Sequence, residues 1–153
     1  MSKTDYKLIA AQIRALAEEE PFYVPLLSNV SALLFESLPD VSWAGFYLKR
    51  GEELVLGPFQ GKPACIHIAF GKGVCGTSFS EDRPVRVENV HLFPGHIACD
   101  AASNSEIVLP IHANGETIGV LDLDSTVFSR FSEEDEEGLQ LVVKAIEEGI
   151  QKP

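Results

Sequence analysis

The sequence predicts an α+β domain in which a central antiparallel sheet is packed by N- and C-terminal helices. Apolar residues recur at helical spacing near both ends of the chain, and short segments typical of strands fill the middle. Turn-forming residues separate these segments, as in hairpins. The 153 residues fit a single domain spanning 1–153, because a chain of this length buries about 68–70% of its unfolded surface.

Two helices are predicted before the sheet and one after it. Residues 4–19 carry an apolar stripe at helical spacing. A second helix is predicted from about Pro25, suited to a first helical turn, to the residue before Pro39. The closing helix is predicted to begin near Ser132, which has capping-box spacing to Asp135.

The middle of the chain predicts six strands, and the segments are 41–48, 53–57, 65–70, 84–90, 106–113 and 116–124. Asn114-Gly115, between the last two segments, is a strong hairpin signal. Two long connections, 57–63 and 89–103, carry no regular pattern. The second contains aromatic, histidine, cysteine and acidic residues, which is typical of an ordered functional loop.

The charge balance limits the classes of partner. Twelve basic residues against 23 acidic ones give a net charge of −11, which opposes binding to nucleic-acid phosphates and to anionic membranes. No apolar run approaches the roughly 18 residues of a membrane span, and the N-terminus lacks the apolar stretch of a signal peptide. These features predict a cytoplasmic protein whose partner is a small molecule or another protein.

The three cysteines, Cys65, Cys75 and Cys99, lie beside glycine- or proline-rich turns. Three cysteines cannot all form disulfides within one chain. Each of them, taken alone, is also explained as a small buried residue of the core. Cys99 differs because it lies in a polar loop, three residues after His96. A cationic or hydrogen-bonding neighbour would lower the pKa of its thiol and supply the nucleophilic thiolate.

Zinc is a second interpretation of the cysteines, taken together with His67, His91 and His96. No pair of cysteines has the close C-x-x-C spacing of structural zinc sites. His67 alternates with Ile66 and Ile68, which a solvent-facing strand position explains. Thiol chemistry without a metal is therefore the favoured interpretation.

Asp122 and Asp124 are two residues apart on the last predicted strand, so both face the same side. Regular alternation puts Ile118 and Val120 on that side as well. Aspartate is rarely buried without a partner. Either the two aspartates form a functional pair, or the strand ends at Leu121 and they cap the next turn.

Glu106, which begins the paired strand, is the third candidate acid. A two-residue turn at 114–115 places Leu123 opposite Glu106 in a regular ladder, so that Glu106 would face away from the aspartates. The three acids can converge only if a bulge shifts the register, and Pro110 favours a bulge. We therefore predict a bulge that brings Glu106 opposite Asp124. Close carboxyls raise one another's pKa, so that one can carry a proton near neutral pH.

Six motifs occur together within residues 41–131: WAGFYL (43–48), LGPFQGKPAC (56–65), GKGVCGT (71–77), FPGHIACDAAS (93–103), SEIVLPI (105–111) and GVLDLDS (119–125). The cysteines inside them are spaced by 10 and 24 residues. This combination resembles the free methionine-(R)-sulfoxide reductases, a catalytic form of the GAF domain.

The resemblance implies reduction of the R-sulfoxide of free methionine, with no cofactor but with an external dithiol. Cys99 would attack the substrate sulfur and become a sulfenic acid, and Cys65 would resolve it as a disulfide. Thioredoxin would restore the dithiol, and Cys75 would be an alternative partner for Cys99. GAF domains that dimerise through their terminal helices imply a homodimer here.

The resemblance also implies a substrate pocket. Glu106, Asp122 and Asp124 would bind the amino acid and polarise the sulfoxide, while Trp43 and Tyr47 would form the wall facing the S-methyl group. The main alternative is a non-catalytic GAF sensor that binds a small ligand. Sensor domains usually occur in longer chains with an output domain, and no residues remain here for one. A cysteine hydrolase is less favoured, because no group that would orient its histidine is recognisable.

Overall fold

The computed structural model describes residues 4–96, 99 and 101–150. In chain order the elements are α1 (Tyr6–Glu19), α2 (Tyr23–Ser37), β1 (Trp43–Arg50), β2 (Glu53–Gln60), β3 (His67–Ala69), α3 (Gly73–Glu81), β4 (Val85–Val87), a 3₁₀ turn (Val90–Leu92), β5 (Ser105–Ala113), β6 (Glu116–Ser125) and α4 (Glu133–Ile150). In that part of the chain, no helix combines the length and the apolar character that crossing a bilayer would require.

All six strands belong to one antiparallel sheet in the order β3-β2-β1-β6-β5-β4. Helices α1, α2 and α4 pack on one face and enclose the larger apolar core. Helix α3 and the loops cover the opposite face around a smaller core. The predicted α+β class, with an antiparallel sheet packed by terminal helices, is confirmed.

Side-chain caps explain where the terminal helices begin. The Asp5 carboxylate accepts a hydrogen bond from the Leu8 backbone N–H at 3.0 Å. Before α4, the Asp135 N–H donates to Ser132 Oγ at 3.1 Å and the Ser132 N–H donates to the Asp135 carboxylate at 2.9 Å, which confirms the predicted capping box. The Tyr6 hydroxyl also donates to Asp135 at 2.6 Å, so that the same carboxylate ties α1 to α4.

Several predicted boundaries are displaced, among them those of β1, β3 and β4. The shifts of α2 and β2 have a clear physical reason. Helix α2 begins at Tyr23, so Pro25 lies inside the first turn, where its missing N–H costs no hydrogen bond. Strand β2 continues to Gln60, because it pairs with β1 through most of the predicted connection 57–63.

Helix α3, Gly73–Glu81, is the element that the sequence pattern does not predict. Gly73 and Gly76 are poor helix formers, and the helix has only nine residues. It is held instead by packing, because Val74 and Cys75 are buried against the smaller core. This helix brings Cys75 to the sheet face that carries the acids.

A one-residue bulge interrupts the β5–β6 hairpin. Ala113 pairs with Glu116 beside the turn, whereas Ile111 pairs with Gly119. Ile118 is therefore left out of the ladder. Every pair beyond it is shifted by one residue relative to a regular hairpin.

The bulge sets which side chains share a face. Beyond it, Glu106 lies opposite Asp124, which confirms the predicted register. The expected cause was wrong, because Pro110 pairs regularly with Val120 and the extra residue is Ile118 on β6. Ile118 packs against the helix-side core, so its predicted place on the side of Asp122 was wrong. The bulge turns Ile118 to the face opposite Asp122. Val120 keeps its predicted place on the face of Asp122, where it packs in the smaller core.

We expect Gly119→Ala to destabilise the protein more than Gly51→Ala. A Cβ at Gly119 would lie 2.4 Å from the Tyr47 carbonyl oxygen and 3.1 Å from the Leu48 Cα, so β1 and β6 would have to separate. We expect a loss of about 3 kcal/mol in the free energy of unfolding, measured by denaturant titration.

Gly51 is the matched control for this substitution. It has a φ of +63° in the β1–β2 turn, and a Cβ there would meet no described atom within 4 Å. Alanine therefore costs only backbone strain, about 1 kcal/mol. Equal losses at Gly51 and Gly119 would contradict the close approach of β1 to β6.

Candidate active site

A pocket with about 590 Å³ of empty space, partly open to solvent, lies on the sheet face opposite the terminal helices. Seven of the eight predicted site residues line it: Trp43, Tyr47, Cys75, Cys99, Glu106, Asp122 and Asp124. Cys65, the eighth, is bonded to Cys99. The fold therefore brings the predicted thiols, acids and aromatic residues to one place.

The three acids converge because adjacent strands carry them in register. Glu106 on β5 lies opposite Asp124 on β6, and Asp122 is two residues along on the same face. Glu106 is 8% exposed and Asp122 is 4% exposed. The alternative in which the strand ends at Leu121 is excluded, since β6 continues to Ser125.

Burial perturbs the ionisation of these carboxyls. It raises the pKa of Glu106 well above the usual value, and the charges of Asp122 and Asp124 raise it further. Burial also raises the pKa of Asp122, although hydrogen bonds with Glu106, Cys75 and Asp124 act in the opposite direction. The cluster therefore retains a proton at pH values where a surface carboxyl would have lost its own.

Two buried oxygens in the pocket wall mark where polar groups of a ligand would bind. Asp122 Oδ1 and Ser103 Oγ have no hydrogen-bond partner among the residues that the structure describes. Both residues line the pocket. Because an unsatisfied buried polar atom is costly, these two positions are suited to contact with a polar ligand.

An aromatic wall rises from β1 beside the acids. Trp43 stacks on Tyr47 with ring centroids 6.0 Å apart and on Phe59 with centroids 5.1 Å apart. The Trp43 indole N–H donates to the Lys62 carbonyl at 3.1 Å, and the Tyr47 hydroxyl donates to the Cys65 carbonyl at 2.9 Å. The wall therefore also positions the loop that carries Cys65.

The cysteines differ sharply in environment. Cys65 and Cys99 form a disulfide with Cα atoms 5.5 Å apart, and both residues are half-buried. Cys75 is free and buried on α3, with its Sγ 3.9 Å from Glu106 Oε2. Burial raises the pKa of the Cys75 thiol, and the charges of the neighbouring acids raise it further, so Cys75 is a poor source of thiolate.

The histidines do not form the zinc site considered from the sequence. His67 is exposed and hydrogen-bonds with Glu53, while His91 Nε2 lies 2.8 Å from Asn104 Oδ1. His96 does line the pocket, but burial and repulsion from His91 lower its pKa. His96 is therefore less suited to supply a positive charge beside Cys99 than an unperturbed imidazole would be.

Three pocket residues are missing from the sequence-based site. Ser103, Lys62 and Lys72 all line the pocket. All three lie inside motifs that the sequence singles out, and Lys72 immediately precedes α3. Motif membership was the available signal, but only the fold shows that these side chains face the acids.

A six-stranded antiparallel sheet with helices on one face and a disulfide beside buried acids on the other defines a GAF domain equipped for thiol chemistry. The GAF domain model matches residues 24–150. The chain is 54% identical to the free methionine-R-sulfoxide reductase of Escherichia coli K12 over 148 residues, which cover 96% of this chain and 90% of the relative.

Solved structures give the same result. The free methionine-R-sulfoxide reductase of Neisseria meningitidis in complex with its substrate is 40% identical, with a TM-score of 0.91 over 98% of this chain and 93% of that one. The fRMsr of Staphylococcus aureus in complex with substrate is 50% identical, with a TM-score of 0.92 over 98% of each chain.

The chain belongs to the free methionine-R-sulfoxide reductase family. It is accordingly an oxidoreductase that acts on a sulfur group. Membership favours the enzyme over the non-catalytic sensor and over the cysteine hydrolase. The roles of the individual site residues stay predictions.

We expect Glu106→Gln to make the protein more stable than wild type at pH 8, with the difference shrinking toward pH 5. The raised pKa of Glu106 means that the folded state binds a proton more tightly than the unfolded state. That contribution is present at low pH and is lost as the pH rises toward the folded pKa. We expect a gain of about 1–3 kcal/mol at pH 8 in denaturant unfolding.

Glu81→Gln is the control, because Glu81 is exposed and pairs only with Arg83 among its described neighbours. We expect its unfolding free energy to follow that of wild type within about 0.5 kcal/mol at both pH values. A Glu106→Gln variant whose stability also parallels wild type would show that the carboxyl is not held protonated.

Proposed function

We propose that this protein reduces free L-methionine (R)-S-oxide to L-methionine, with Cys99 as nucleophile and Cys65 as resolving thiol. The supporting observation is that Cys99, bonded to Cys65, lines the same pocket as the buried acids. The substrate complexes of the Neisseria and Staphylococcus relatives support this substrate class.

The acid cluster accounts for recognition of a free amino acid. Glu106, Asp122 and Asp124 present negative charge in a buried wall, which suits the substrate's α-ammonium group. Lys62 and Lys72 line the same pocket and supply positive charge for the α-carboxylate. A methionine sulfoxide within a protein has neither charged group.

The chemical step transfers oxygen from the substrate sulfur to Cys99. The Cys99 thiolate attacks the sulfoxide sulfur, and a protonated carboxyl of the cluster, with Glu106 the best suited, donates to the sulfoxide oxygen. The attack forms a bond between the two sulfurs. Transfer of the protonated oxygen to the Cys99 sulfur then breaks this bond and the substrate's sulfur–oxygen bond, so methionine leaves as the thioether and Cys99 becomes a sulfenic acid. The substrate sulfur is reduced by two electrons and the Cys99 sulfur is oxidised by two.

Resolution needs a second thiol and an external reductant. The Cys65 thiol attacks the sulfenic sulfur, which releases water and forms the Cys65–Cys99 disulfide. A dithiol then reduces this disulfide, and thioredoxin is the protein donor that we propose. No further cofactor takes part in the cycle.

Trp43 and Tyr47 are proposed to contact the S-methyl group, since both are buried in the pocket wall. Cys75 is proposed to donate its S–H to Glu106. Its raised pKa makes it a weaker candidate than Cys65 for resolving the sulfenic acid. A homodimer through the terminal helices and a cytoplasmic location stay predictions.

We expect Cys99→Ser to abolish methionine release from the R-sulfoxide, because the hydroxyl is a far weaker nucleophile. Cys65→Ser should release about one methionine per chain without reductant and accumulate a Cys99 sulfenic acid, which dimedone labels. The measurement is methionine release with thioredoxin or dithiothreitol, followed by mass spectrometry of the labelled chain.

Cys75→Ser is the matched control for these thiol substitutions, and it should still form the Cys65–Cys99 disulfide in proportion to added sulfoxide. Turnover that survives Cys99→Ser would show that another cysteine is the nucleophile. Absence of turnover with either sulfoxide epimer, in fully reduced wild type, would overturn the proposed reaction.

We expect N-acetyl-methionine (R)-sulfoxide to react at least about a hundredfold less efficiently than the free amino acid, measured as kcat/KM. Acetylation removes the ammonium charge and leaves the acids without their partner, a loss of about 3 kcal/mol. The S epimer of the free amino acid controls for handedness. Equal efficiencies with the free and the acetylated R-sulfoxide would contradict recognition by the acids.

A further inference from the structure

Three potential metal ligands lie together in the pocket wall. Cys75 Sγ and one carboxylate oxygen from each of Glu106 and Asp122 all lie within 4.8 Å of one another, and all three residues are buried. They come from three different elements, α3, β5 and β6, so the fold rather than local sequence assembles them.

A second observation also points to a ligand at this cluster. Asp122 Oδ1 is buried and has no hydrogen-bond partner in the described parts of the chain. Cys75 Sγ and Glu106 Oε2 are 3.9 Å apart. A tetrahedral zinc ion with usual bond lengths separates sulfur and oxygen ligands by about 3.6 Å, so this pair would need only a small contraction.

The donor set selects a chemical class of cation. One thiolate with two carboxylates suits a borderline or soft divalent ion such as Zn²⁺ or Cd²⁺, whereas Mg²⁺ and Ca²⁺ prefer oxygen ligands alone. Three protein ligands leave one tetrahedral position for water. Asp124, which lines the same pocket, adds negative charge beside the cluster.

We propose that Zn²⁺ binds Cys75, Glu106 and Asp122 and thereby competes with the substrate's ammonium group. The ion is an inhibitor and not a resident cofactor. Binding through sulfur displaces the Cys75 thiol proton to solvent. The inhibition rests on the proposed function, whereas the binding does not.

The disulfide form of the protein provides a selective test. With Cys65 and Cys99 bonded, Cys75 is the free thiol of the chain's three cysteines. Titration with Cd²⁺ as the probe should produce ultraviolet thiolate-to-cadmium absorption that saturates at about one ion per chain. Zn²⁺ should abolish this absorption by displacement.

Three variants identify the ligands. Cys75→Ser should lose the absorption, while Glu106→Gln and Asp122→Asn should retain the thiol but weaken Cd²⁺ binding at least tenfold. Glu81→Gln, an exposed acid at the end of the same helix, should bind as wild type does. Absence of the absorption in the wild-type disulfide form would overturn the site. Unchanged Cd²⁺ affinity in both acid variants would also overturn it, because the ion would then bind the Cys75 thiol without the acids.

Competition connects the ion to the substrate pocket. L-methionine, the reaction product, should raise the apparent Kd for Cd²⁺ in proportion to its concentration. Failure of methionine to compete would overturn the inhibitory role. Metal binding is read by absorption without turnover, so failure of the proposed reductase activity and failure of the metal site are distinguishable.

Discussion

The extra residue in the β5–β6 hairpin is the constraint on which the site depends. Side chains alternate along a strand, so a ladder without the bulge at Ile118 would turn Glu106 toward the helix-side core. There the carboxyl would lie in apolar surroundings without Asp122 or Asp124. The bulge places all three acids on one face, where the charges of Asp122 and Asp124 raise the pKa of Glu106.

Burying acids together costs stability, and the division of the molecule into two cores offsets that cost. The three terminal helices enclose a continuous apolar core on one sheet face, which includes the fully buried Phe46, Leu121 and Leu123. The opposite face has a smaller core and can therefore hold charges and unsatisfied oxygens such as Asp122 Oδ1. Stability is concentrated on one side of the sheet and chemistry on the other.

Periodicity predicted the terminal helices and the sheet, because burial on one side imposes regular spacing. The convergence of Glu106 with Asp124 was predictable only as a requirement of the three-acid hypothesis, since a bulge leaves little trace in sequence. Helix α3 was missed because tertiary packing overrides the poor helix propensity of Gly73 and Gly76. The contact between Cys75 and Glu106 was therefore missed too.

The cysteines at this pocket lie in different surroundings. Cys99 lies half-buried at the pocket wall, where it is bonded to Cys65. Cys75 lies among acids that keep its thiol protonated, so it donates a hydrogen bond to the cluster and contributes no charge. In the proposed complexes, an ammonium group would meet carboxyls alone, whereas a divalent ion would also gain the Cys75 sulfur as a ligand.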